Sequence, residues 1–256
     1  MYKIRSMISN RFAQAVEFAT KLHDGQVRKG TSIPYISHPI AVASLVMEHG
    51  GTEDEAIAAL LHDVVEDCGG QPVLNEVRKL FGNNVATIVD GCTETHIRPK
   101  PPWIERKKKY ISHMKTASPS VRLVACADKI HNIRSLIADY RQVGESVWER
   151  FRANKKETLW FYKEVLQSLK DSGENRSIIL ELEKGVEELA LTIGLATINK
   201  GKTFSKKKRR RSRKCPGCGS DSVMPIVYGL IDDPEAIKQI EDGEFSTGGC
   251  CIEEDS

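Results

Sequence analysis

The run AALLHDVVED, Ala58 to Asp67, closes an apolar stretch with one histidine and three acids. On a helix His62 and Glu66 stand four apart, as do Asp63 and Asp67, so each pair shares a face. His62 and Asp63 are neighbours whose side chains diverge by about 100 degrees, yet they can converge on one ion lying between them near a helix end. Imidazole nitrogen combined with carboxylate oxygen suits manganese, iron or zinc. Two ligands make no tight site. His38 in YISHP and Asp128 in ACADKIHN, both polar interruptions of stretches that read as core, are candidates to complete it. Glu66 and Asp67 lie one helical turn from these ligands, where a carboxylate can orient or deprotonate a water acidified by a metal. Negative charge at a helix C-terminus opposes the helix dipole, which speaks against a purely structural role for the pair.

The elements that must position these groups read as helices. RFAQAVEFATKLH sets Phe12, Val16, Ala19 and Leu22 on one face. A loop with Gly25, Gly30 and Pro34 follows, and a second helix starts near His38-Pro39, with proline in its first turn, and stops at Gly50-Gly51. Thr52 and Glu55 form a capping box that opens one helix over 53–67. Two short helices break at Gly82, a proline-rich loop HIRPKPPW comes next, and Ser118-Pro119 leads into VRLVACADKIHNIRSLIADY. Amphipathic helices are expected at about 146–170 and 176–193. Alternation of period two is scarce before residue 223, so the main domain is expected to be all-α.

The chain has 256 residues and a formal net charge of +3. Nine of the thirteen residues 202–214 are Lys or Arg, so the remainder is mildly acidic. That basic run reads first as a solvated linker and second as a weak electrostatic contact for nucleic acid, with little support for base stacking because only Phe204 is interleaved. Neither a signal-peptide core nor an apolar run of membrane-spanning length is found, and the cysteine pattern fits a reducing compartment; a cytoplasmic protein is expected. After the linker the character changes. CPGCGS has the thiolate spacing of a zinc-ribbon knuckle, but its partner is GGCC rather than a second Cys-x-x-Cys. Zinc held by Cys215, Cys218, Cys250 and Cys251 stands beside a redox or unstructured reading. The expected organisation is a main domain over 1–198, a basic linker over 199–214 and a small Cys-rich module over 215–256.

The ordered motifs ATKLHDGQVRKGTSIPYISHPIAVA, AIAALLHDVVED and VRLVACADKIHNIRSL closely resemble the HD-domain hydrolases of RelA/SpoT-like alarmone enzymes, above all the small hydrolase-only members, across roughly residues 10–165. The resemblance implies an HD-domain helical bundle in which His38, His62, Asp63 and Asp128 bind one divalent ion, typically manganese. It implies that Glu66 and Asp67 assist catalysis and that Arg28, Lys29 and Asn132 hold the nucleotide. The reaction implied is removal of the 3′-pyrophosphate from guanosine tetra- or pentaphosphate, (p)ppGpp. The chain has no length for a synthetase domain before the cysteine tail, so degradation alone is expected. Two other readings stand beside it: a phosphatase acting on NADPH or another 2′- or 3′-phosphorylated nucleotide, and a nucleotide-sensing regulatory protein whose tail binds nucleic acid or a partner.

Overall fold

In the computed structural model, residues 8–171 and 176–196 are described. They form nine α-helices and one 3-10 turn, with no β-strand among them beyond an isolated antiparallel bridge between Val27 and Pro34. The basic linker and the Cys-rich module, with Cys215, Cys218, Cys250 and Cys251, lie outside the described residues.

The order is α1 (Asn10–Leu22), α2 (Ser37–Glu48), α3 (Glu53–Leu61), α4 (Val64–Cys68) and α5 (Gln71–Cys92). Then come α6 (Trp103–Met114), α7 (Pro119–Val143), the 3-10 turn Gly144–Arg150, α8 (Lys155–Lys170) and α9 (Arg176–Thr192). Helix α7 is the axis, packed against α2, α3, α5 and α9. Its residues Leu123, Val124, Ala127, Ile130 and Ile133 are all buried. Asp128 sits in this run and is itself buried, a position a carboxylate holds only when it is paired or bound to a cation.

Local chemistry accounts for most boundaries. Thr52 Oγ1 accepts from the Glu55 amide at 3.4 Å while the Thr52 amide donates to Glu55 at 2.6 Å, the reciprocal cap expected before α3. Gly82 takes φ 90° within α5, so the expected break falls there as a kink between two helical segments. Two expectations are corrected. The helix expected over 53–67 is two helices that part at His62-Asp63. The helix expected from 146 begins at Lys155, because Asn154 accepts from the Lys156 and Glu157 amides at 2.9 and 3.0 Å and caps the helix there. Trp148 therefore lies in the 3-10 turn and Phe151 just beyond it.

A candidate metal centre opening on a cationic cavity

The site lies where the α3–α4 joint meets α2 and α7. The joint turns His62 and Asp63 toward one another, leaving His62 Nε2 3.1 Å from Asp63 Oδ2. His38, in the first turn of α2, brings its Nε2 to 3.5 Å from Asp63 Oδ2 and 3.2 Å from Asp128 Oδ1. His62 Nε2 is 3.7 Å from that same Asp128 oxygen. Donor atoms of His38, His62 and Asp128 lie within 4.8 Å of one another. Donors about 2.1 Å from a shared ion stand about 3.0 to 3.4 Å apart in octahedral or tetrahedral arrangement, so these spacings suit a single cation.

Hydrogen bonding favours the same reading. His62 Nδ1 donates to the Ala59 carbonyl at 2.7 Å, while the buried Nε2 lacks a hydrogen-bond partner of acceptable geometry. The ring is oriented by one nitrogen and offers the other, the usual state of a metal-binding histidine. Burial pushes the Asp128 carboxyl up, but the Lys129 ammonium and the His38 and His62 imidazoles hold it well below the ordinary carboxylate range. Asp63, only half-buried, is likewise held low, by His62 and His38. Burial works against a proton on His62, yet Asp63 and Asp128 raise its pKa well above the ordinary value. Proton and divalent cation compete for that position.

Four supports come from outside the expected ligand set. The Tyr35 hydroxyl donates to Asp63 Oδ2 at 2.5 Å. Asn132 Nδ2 donates to Asp128 Oδ1, and Lys129 Nζ donates to Asp128 Oδ2 at 2.5 Å. His131 Nδ1 lies 2.8 Å from His38 Nδ1. Burial, with the His38 and Arg28 charges, pushes His131 down to about 4, so it is neutral near pH 7 and able to accept from His38 Nδ1. Replacing His131 with Phe is expected to weaken binding of an added divalent cation by about 10- to 100-fold, read by calorimetric titration. Unchanged affinity would show that this bond does not orient His38.

The inner cavity, about 190 Å³, is lined by His38, His62, Asp63, Asp128 and Glu66. Arg28, Tyr35, Lys107, Asn132 and Phe161 line both it and an outer cavity of about 1040 Å³, so the two adjoin. The outer cavity adds Lys29, Lys100 and Arg152 to its wall. Arg28 donates to Asn132 Oδ1 at 2.8 Å, so two expected substrate residues meet directly. Of the expected catalytic pair, Glu66 lines the inner cavity and Asp67 lines neither. Glu66 Oε1 accepts from the Glu94 amide at 2.5 Å, and Oε2 lies 3.2 Å from Lys100 Nζ. Burial and the Asp63 charge push the Asp67 carboxyl up, with Lys100 opposing.

Tyr35, Glu94, Lys100 and Lys107 were not singled out as site residues by motif. Lys107 pairs with Glu94 at 2.8 Å and lies over the Phe161 ring at 4.4 Å. The cue available was a cluster of cations in RPKPPWIERKKKY, whose direction only packing reveals.

The HD domain family profile matches residues 15–159, more than half of the chain. The chain belongs to the HD-domain family. This HD-domain protein is 33% identical over 183 residues to the guanosine-3′,5′-bis(diphosphate) 3′-pyrophosphohydrolase MESH1 of Mus musculus, covering 70% of this chain and 95% of that relative. It is 38% identical over 125 residues to the guanosine-3′,5′-bis(diphosphate) 3′-pyrophosphohydrolase of Aquifex aeolicus, covering 48% of this chain and 17% of that longer protein. A solved structure described as "a metazoan ortholog of SpoT" that "hydrolyzes ppGpp and plays a role in starvation responses" superposes with a TM-score of 0.59 at 26% identity. The match covers 75% of this HD-domain chain and 99% of that one. Among its described residues no helix is long and apolar enough to cross a membrane.

Proposed function

We propose that this HD-domain protein is a metal-dependent phosphohydrolase that removes the 3′-pyrophosphate from (p)ppGpp. One observation carries the reading: a pocket of imidazole and carboxylate donors adjoins a nucleotide-sized cavity walled by cations. The shared activity of the MESH1 and Aquifex relatives supports the substrate.

In this reading His38, His62, Asp63 and Asp128 hold one divalent ion, which we assign as manganese. When bound, it supplies Lewis-acid stabilisation of phosphoryl charge and lowers the pKa of water. Glu66 and Asp67 serve as general base and its neighbour, taking the proton of the attacking water. Arg28, Lys29 and Asn132 hold the nucleotide, and guanidinium and ammonium groups offset phosphate charge. Outer-cavity cations beyond this set, Lys100 among them, raise local anion concentration.

The division into a domain over 1–198, a linker over 199–214 and a zinc-holding module over 215–256 belongs to the same proposal and rests on residue types alone. Weak nucleic-acid contact through the linker and a place in the stringent response stand with it.

The test supplies the purified protein with Mn2+ and either guanosine tetraphosphate or NADPH, with Asp63→Ala as control. Pyrophosphate from the alarmone, lost in the variant, is the expected result. Phosphate from NADPH alone would keep the site and replace the substrate. Inactivity toward both by a metal-loaded, folded protein would overturn the enzymatic reading in favour of a nucleotide sensor.

A further inference from the structure

We propose that Arg150 and Asp139 form a clasp that fixes the loop carrying Arg28 and Lys29 against α7, making Arg150 a positioning residue for nucleotide binding. The inference rests on the reading that this loop holds the nucleotide.

Three contacts converge. Gly30 takes φ 71°, in the left-handed region. A β-carbon there would lie 2.4 Å from Arg150 Cδ and 2.7 Å from its Nε, so the absence of a side chain makes the groove in which the Arg150 stem runs. The far end of Arg150 reaches α7, where Nη1 is 3.1 Å from Asp139 Oδ2, with the two side chains only 21% and 25% exposed. One residue along on each strand of chain, Lys29 Nζ lies 5.4 Å from the centroid of the Phe151 ring. Stem on glycine and ammonium on ring thus sit side by side as two rungs between the loop and the segment leaving the 3-10 turn.

The clasp stands at the wall of the outer cavity, since Lys29, Asp139 and Phe151 all line it. Asp139 lies eleven residues after Asp128 and seven after Asn132, three helical turns and two turns along the same face of α7. Arg28 already meets that face through Asn132 at 2.8 Å. The loop is therefore tied to α7 at two points, one beside the metal centre and one at the distal end. Arg28, bonded to Asn132, keeps its anchor without Arg150, whereas the Lys29 end, in a turn closed locally by Thr31 on the Arg28 carbonyl at 3.0 and 2.9 Å, keeps toward the 3-10 segment its exposed contact to Phe151. The consequence is a specific split: Arg150 governs how well Lys29 is placed to hold substrate and leaves the metal centre alone.

The experiment uses the full chain with Arg150→Ala, Asp139→Asn and Arg150→Lys. Limited trypsin digestion, mapped by mass spectrometry, reads the Lys29–Gly30 bond relative to the other cleavage sites. Hydrolysis of guanosine tetraphosphate reads KM and kcat. For Arg150→Ala the expected result is about tenfold faster relative cleavage at Lys29–Gly30, and a KM raised about tenfold, some 1.4 kcal/mol, with kcat within about twofold. Asp139→Asn, which removes the ion pair and leaves the stem on Gly30, moves both readings in the same direction by less. Arg150→Lys, which keeps stem and charge, restores most of each. Relative cleavage unchanged in Arg150→Ala and Asp139→Asn, or faster at all sites alike, would overturn the clasp. Equal loss of kcat in every variant with KM unmoved would do the same. Because the digestion needs no substrate, a protein inactive on the alarmone would defeat the proposed function while the cleavage map still decides on the clasp.

Discussion

Asp128→Asn is expected to lower hydrolysis by at least about 10³-fold and to remove bound Mn2+ at micromolar metal. The ion's stabilisation of phosphoryl charge amounts to several kcal/mol, and each 1.36 kcal/mol is tenfold in rate. Stability should fall with it. Asp128 Oδ2 accepts from the largely buried Lys129 ammonium at 2.5 Å, its side chain 12% exposed, while Oδ1 faces His38 at 3.2 Å. The amide retains the shape and leaves the ammonium without its counter-charge, and breaking a buried pair this way costs about 3–5 kcal/mol. Metal content by mass spectrometry, turnover and thermal unfolding check the three parts. A variant that keeps its metal and its rate would take Asp128 out of the centre, and a variant that merely unfolds is separated by Asp63→Asn. Asp63 is more exposed than Asp128 and its partners are the two histidines and Tyr35 rather than a lysine, so there the metal should be lost with a smaller loss of stability.

Glu66→Gln is expected to lower kcat by about 10³-fold, within the range of 10² to 10⁴ that a positioned general base contributes, with Mn2+ affinity changed by less than about tenfold. The glutamine side chain is the same size and can still accept from the Glu94 amide, now 2.5 Å from Oε1. What disappears is the ability to take a proton beside the donors of the inner cavity, which Glu66 lines and Asp67 does not. Asp67→Asn should therefore cost less. The pair is compared by single-turnover rates at saturating nucleotide, with metal content measured in parallel. A larger loss in Asp67→Asn would move the base to that residue, with Glu66 reduced to anchoring the 94–100 segment through Glu94, Arg98 and Lys100.

Features governed by neighbours in sequence were the ones legible in it. The Thr52–Glu55 cap, the kink at Gly82 and the start of α7 at Ser118-Pro119 each depend on a few consecutive residues, and each occurs where those residues stand. The mistaken helix over 53–67 marks the limit. Nothing between Ala58 and Cys68 is a helix breaker by propensity, so the parting at His62-Asp63 cannot be read from that stretch. Asn154, a capping residue eight positions past the expected helix start, prevailed because its side chain satisfies two free amides at once.

By itself, then, the sequence determined the helical class of the described residues, most of the caps, and the supply of imidazoles, carboxylates and cations in ordered motifs, because composition, periodicity and capping act over one or two turns. The packing of α2, α3 and α7 decided that donor atoms of His38, His62 and Asp128 lie within 4.8 Å of one another with Asp63 beside both histidines, that Tyr35 and His131 support them, and that the 94–100 segment lies on Glu66. His38 and His131 are 93 residues apart in the chain and 2.8 Å apart in space. Such a distance is fixed by how buried helix faces interlock, and no local pattern encodes it.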